Sequence, residues 1–112
     1  MIDDYRFGRM IIDGRTYASD VIIFPDRVQG SWWRKNGHSL CREDIEDVLR
    51  AKPEVLVVGT GAGGVMKIPP AVAERIRAEG IELIARETAS ACRTYNSLLG
   101  KRTVIGAFHL TC

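Results

Sequence analysis

The chain is short of the features that announce a chemistry. It holds only three cysteines, Cys41, Cys92 and Cys112, none in a C-x-x-C pair. The odd number and the missing pair argue against a disulfide framework and a thioredoxin-type motif, and they fit a reducing compartment. Long apolar runs are lacking too: stretches such as Val21 to Phe24 and Val55 to Val58 fall far below the roughly 20 residues of a membrane-spanning helix. The start, Met1-Ile2-Asp3-Asp4-Tyr5-Arg6, is acidic with no apolar block behind it, so no secretory leader is expected and the cytoplasm is the expected location. Charge of one sign is scarce as well. Sixteen basic and 14 acidic residues leave a net charge of +2, and no like-charged run is long enough to bind a polyanion, so neither nucleic acid nor membrane insertion is expected.

What remains is an ordinary globular balance. With 112 residues, 46% hydrophobic and 27% charged, one domain over 1–112 is expected. A chain of this size buries roughly two-thirds of the surface its unfolded form exposes, so neither metal nor cofactor is required to hold it.

The first third reads as β structure. Phe7 to Ile12, the turn dipeptide Asp13-Gly14 and Arg15 to Phe24 predict an opening hairpin. After Pro25-Asp26, Val28 to Trp33 predicts a third strand that ends at Asn36-Gly37. From Ser39 the period becomes helical, with Cys41, Ile45, Val48 and Leu49 on one face and Pro53 as the stop. Val55 to Val58 is apolar throughout, as suits a strand covered on both faces. Pro69-Pro70 opens a helix that Gly80 closes, and Ile81 to Ala85 follows as a strand parallel to the first. Thr88 is placed to cap a third helix ending at Gly100, and Arg102 to Leu110 is the last strand.

Three groups of residues bear on function. Gly59, Thr60, Gly61, Ala62, Gly63 and Gly64 match G-x-G-x-x-G directly after a buried strand. In a dinucleotide site the helix starts within the glycines, whereas here Val65 to Ile68 intervene, which favours a tight loop over that reading. The loop still lies at the carboxyl end of a central strand, where open α/β sheets bind ligands, and glycine amides attract anions. Thr88, Cys92 and Asn96, at i, i+4 and i+8, are placed to line one side of such a crevice, against the plainer roles of cap, core and structural hydrogen bonding.

The second group is the repeated H-x-x-C, His38 with Cys41 and His109 with Cys112. These residue types suit tetrahedral zinc, but residues three apart on a strand point to opposite faces, so no metal is expected. The third is Trp32-Trp33-Arg34-Lys35, an aromatic and basic patch suited to a protein partner. Two adjacent aromatics cannot both face inward from a regular strand, so one is expected in the core and one at the surface.

Beyond these local readings, Phe7-Gly8, Tyr17, Asp20-Val21-Ile22-Ile23, Trp33, His38, Pro53-Glu54, Leu56, Val58-Gly59-Thr60-Gly61, Gly80-Ile81-Glu82, Thr88, Ala91, Tyr95-Asn96 and the terminal His109-Leu110-Thr111-Cys112 occur in a recognisable order. Over essentially the whole chain this resembles the Mth-like, adipogenesis-associated domain family. The resemblance implies a three-layer α/β fold with a central mixed β-sheet flanked by helices and an additional β hairpin. It brings no catalytic set and no cofactor. One branch resembles a mitochondrial assembly factor for respiratory complex I, and another is linked to adipocyte differentiation.

Two functions are therefore expected to compete. The first is a non-enzymatic protein-interaction or complex-assembly module, with an unidentified protein partner at Trp32 to Lys35 and the option of a homodimer. The second is a small-molecule binding protein or enzyme for an anionic ligand, sited between the Gly59 to Gly64 loop and the Thr88 helix.

Overall fold

A computed structural model describes residues 1–111. Three short strands come first: β1 (Ile2–Arg6), β2 (Arg9–Ile12) and β3 (Arg15–Tyr17), an antiparallel meander in that order. The β2–β3 turn is the expected Asp13-Gly14 pair, with φ of 48° and 80°, the left-handed geometry that a tight hairpin needs. Phe7-Gly8 is not part of a strand. It forms a second turn, Gly8 at φ 77°, and the acidic start pairs ahead of it as β1. The expected hairpin is thus three-stranded.

Arg15 to Phe24 does not run as one strand. It breaks at Ala18–Asp20, and its second part, β4 (Val21–Ile23), belongs to another sheet. The break puts Asp20 where its carboxylate accepts the Leu110 amide at 2.7 Å and its carbonyl accepts the Trp32 amide at 2.9 Å. The third strand shrinks to β5 (Val28–Gln29), and the helix expected from Ser39 is a 3-10 turn (Arg42–Ile45) leading into α1 (Glu46–Ala51). Asp44 organises this segment: its carboxylate takes the Cys41 amide at 2.8 Å and the Lys35 amide at 3.1 Å. The first satisfies the N-cap amide of the 3-10 turn, and the second ties the Lys35 segment to that turn.

The rest follows the predicted alternation: β6 (Val55–Thr60), α2 (Pro70–Ala78), β7 (Glu82–Arg86), α3 (Thr88–Leu98) and β8 (Val104–His109). The larger sheet has the order β5-β4-β8-β6-β7, with β6 parallel to both β7 and β8, and β4 antiparallel to β8 and β5. β6 and β8 are buried along their whole length, as strands covered on both faces must be. Leu56, Val58 and Ile105 face α1 and α2, joining Ile45, Val48, Leu49 and Ile76. Val55, Val57, Val104 and Phe108 face the other way, toward α3 and the meander, joining Ala91, Tyr95, Met10 and Ile12. The period of two along each strand thus separates two cores and makes three layers.

Thr88 is not the cap of α3. Glu87 holds that position without a side-chain cap bond, and Thr88 is the first helical residue, with its hydroxyl turned into the protein.

Candidate functional site

At the end of the sheet where β6 and β8 finish, the loop after β6, the start of α3 and the residues after β8 are joined by hydrogen bonds. The Thr88 hydroxyl donates to the His109 carbonyl at 2.6 Å and accepts the Gly61 amide at 2.9 Å, while the Thr88 amide donates to the Gly61 carbonyl at 3.0 Å. The Ala62 amide donates to the Thr111 carbonyl at 2.7 Å, the Gly64 amide to Gly61 at 3.2 Å, and the Thr60 hydroxyl to the Arg86 carbonyl at 3.0 Å. The amides of Gly61, Ala62 and Gly64 are therefore committed within the chain. Gly59 has no room for a side chain, since an added Cβ would lie 2.8 Å from Phe108 Cδ1 and 3.2 Å from Thr88 Cα. Gly61 and Gly64 carry positive φ of 106° and 69°, and Gly63 lies exposed at the tip.

The structure brings Thr88 to these glycines but carries Cys92 and Asn96 along α3 toward the meander. The Asn96 side-chain amide accepts the Ile2 amide at 2.9 Å and donates to the Ile2 carbonyl at 2.8 Å, fastening β1 to α3 like an added strand. Cys92 is buried among apolar side chains, and burial pushes its thiol up to about 12. Such a thiol is protonated and unreactive at neutral pH.

The Trp32 to Lys35 segment alternates between buried and displayed. Trp32 is 4% exposed and its indole Nε1 donates to the Asp44 carbonyl at 2.9 Å. The Arg34 side chain is also buried, its guanidinium 4.8 Å from the Trp32 ring centre and 2.7 Å from Asp20 Oδ2. Trp33, between them, is 85% exposed, and Lys35 reaches out to Glu43 at 3.1 Å. Of the four residues, Trp33 and Lys35 are the ones exposed to solvent.

Local patterns missed the group behind that segment. Asp20, Arg34 and His109 meet at the start of β4 and the end of β8. His109 Nδ1 lies 2.8 Å from Asp20 Oδ2 and 3.0 Å from an Arg34 terminal nitrogen. A carboxylate is acceptor-only and a guanidinium donor-only, so Nδ1 donates to Asp20 when it carries the proton and accepts from Arg34 when it does not. The same Arg34 nitrogen also donates to the Gly37 carbonyl at 3.3 Å. Burial alone would raise the Asp20 carboxyl, but the Leu110 amide, His109 and Arg34 outweigh it and hold the group below its ordinary value. Among the described residues, His109 Nε2 and Arg34 Nε are buried without a partner. His38 is exposed, its ring centre 6.4 Å from that of His109. The zinc reading depends also on Cys112, which lies outside the described residues. The sequence signal for the cluster was faint: 89 positions separate Asp20 from His109, and Asp20 stood out only within the family pattern.

Around this cluster the surface is apolar and partly concave. A cavity of about 450 Å³ is lined by Ser19, Asp20, Ser31, Trp33, Arg34 and Thr111, among others. The Phe7 turn is tied to the same end of β8 by the Gly8 amide, which donates to Leu110 at 2.8 Å, and the Val65 loop by the Ala62 bond to Thr111. Phe7 is 65% exposed and Val65 45%, so three exposed apolar side chains, Trp33 included, stand on segments anchored there.

Residues 2–109 match the profile of a family described as "Protein of unknown function (DUF498/DUF598)". Among curated relatives, the NADH dehydrogenase [ubiquinone] 1 alpha subcomplex assembly factor 3 of Xenopus tropicalis is 29% identical over 95% of this chain, and the match spans 58% of the relative's own length. Among solved structures, a conserved hypothetical protein from Pyrococcus horikoshii superposes with a TM-score of 0.88 at 29% identity, covering 100% of this chain and 99% of that one. A Bordetella pertussis protein described as a Mth938-like domain shares the fold, with a TM-score of 0.70 at 21% identity, covering 98% of this chain and 85% of the other.

Proposed function

The chain belongs to the DUF498/DUF598 family, and on that premise we propose that it acts in the cytoplasm as a non-enzymatic protein-interaction module in the assembly of a larger complex. The observation that carries the reading is Trp33, 85% exposed yet held between two buried neighbours. An indole left in water is a poor use of an aromatic side chain unless something covers it, and rigid aromatic anchors dominate binding energy at protein interfaces. Trp32 and Arg34 fix the backbone on either side, so Trp33 is presented with little conformational freedom left to lose. Relatives named as assembly factors support the same reading, although the chain spans only 57% to 58% of their length.

An anionic ligand on the Gly59 to Gly64 loop is the weaker reading, because it would have to displace the bonds that occupy the Gly61, Ala62 and Gly64 amides. The test is affinity recovery from the source cells with wild-type and Trp33→Ala baits, each checked for an unchanged melting temperature. We expect a stoichiometric protein to be recovered with wild type and lost with Trp33→Ala. Equal recovery with both baits would remove Trp33 from the interface.

A further inference from the structure

Among the described residues, β7 closes one side of the larger sheet with β6 on its inner side and no strand on its outer side. Glu82, Ala85 and Arg86 are exposed, and Leu83 and Ile84 are half-buried. The Glu82 amide donates inward to the Glu54 carbonyl at 2.9 Å, and the Arg86 carbonyl accepts inward from Thr60. Along a paired strand the inward and outward backbone groups alternate, so the N–H and C=O groups of Leu83 and Ala85 point outward. A bare edge of this kind is a template for another strand.

We propose that β7 is a self-pairing edge, at which a second copy of the chain adds its own β7 antiparallel across a two-fold axis beside Ile84. In that register Leu83 faces the other copy's Ala85. These are the residues with free backbone groups, so each such pair exchanges two hydrogen bonds, as the antiparallel ladder requires. Ile84 then meets its own counterpart at the axis as a close, non-hydrogen-bonded pair. Glu82 meets Arg86 of the other copy, and Arg86 meets Glu82.

Charge selects this occupant. Charged residues usually protect an edge by repelling a like-charged copy, but here the two charges have opposite sign and sit symmetrically about Ile84, so self-pairing is attractive at both ends. Glu82 already binds Arg102 at 2.8 Å through Oε1, which leaves Oε2 for the second contact. The inference is independent of the Trp33 reading, because β7 lies at the opposite side of the sheet from β4 and β5.

The test is sedimentation equilibrium of the full chain over a dilution series, with circular dichroism and thermal melts confirming the fold of each variant. Wild type is expected to form a dimer that dissociates on dilution. Arg86→Glu places like charges opposite each other at both ends and should raise the dissociation constant about tenfold. Ala85→Pro removes an outward N–H and should do the same, in a position an edge strand tolerates. The double swap Glu82→Arg with Arg86→Glu should restore wild-type association. A wild type that stays monomeric at millimolar concentration would overturn the proposal. So would a dimer that neither single variant weakens, or a double swap no tighter than Arg86→Glu. If Ala85→Pro does not fold, the exposed charge variants carry the test alone.

Discussion

The glycine loop and the Trp32 to Lys35 segment both carry residues that a sequence reader would assign to function, and both end near the last residues of β8. They differ in where their recognition groups point. In the loop, the Gly61 and Ala62 amides are turned inward onto Thr88 and Thr111, and the Gly64 amide onto Gly61. In the segment, two members are buried to hold a third in solvent. The same motif vocabulary thus describes a joint in one place and a presented surface in the other, and what separates them is whether the polar and aromatic groups still lack partners.

Perturbing the anchor of the segment should have the largest effect. Asp20→Ala strips a buried guanidinium and an imidazole of their shared carboxylate, and loss of one member of a buried pair costs about 3–5 kcal/mol, read as a fall in the denaturant midpoint. The Asp20 carboxyl is held below its ordinary value, so its contribution is complete above the unfolded-state pKa and is lost as pH falls through the folded one. Asp20→Asn should therefore flatten the acid limb of a stability-against-pH curve. An unchanged limb would show that other carboxylates govern acid unfolding.

Next comes the joint. Thr88→Val removes a hydroxyl that satisfies both Gly61 and His109. Two buried backbone groups without partners cost about 2–3 kcal/mol, measured by urea denaturation. If the loop were instead a poised ligand site, stability would change little. Asn96→Ala should cost less, about 1–2 kcal/mol, because the Ile2 groups it leaves are only partly buried. Its signature should be hydrogen exchange speeding up in β1 while β6 and β8 stay protected.

The smallest effect on stability belongs to Trp33→Ala, within about 0.5 kcal/mol as for an exposed position, together with the complete loss of partner recovery. A large destabilisation would mean that the indole packs on its own chain. The reverse pattern in Thr88→Val and Trp33→Ala, stability nearly kept in the first and lost in the second, would invert the comparison.

Much of the framework was legible in the residues. The apolar block at Val55 to Val58, the Pro69-Pro70 start of α2 and the Asp13-Gly14 turn each carry a local cause that neighbours do not override. The break at Ala18–Asp20 was not legible, because Arg15 to Phe24 has the composition of one strand and only distant groups, the Leu110 and Trp32 amides, Arg34 and His109, make Asp20 a stopping point. Thr88 read as a cap because Thr at a helix start normally bonds the next turn. Here the competing acceptor and donor, the His109 carbonyl and the Gly61 amide, come from segments 21 and 27 positions away.

By itself the sequence determined where the chain alternates with period two or 3.6 and where glycine and proline punctuate it. Those properties depend on residues a few positions apart. Tertiary structure decided that Trp32 is buried while Trp33 is exposed, that Asp20, Arg34 and His109 form one buried group, that the Gly61, Ala62 and Gly64 amides are spent internally, and that β7 rather than a longer strand closes that side of the larger sheet. Each of these depends on which segments close upon one another. That closure follows from burying two apolar faces of one sheet at once, so no local window of the chain contains it.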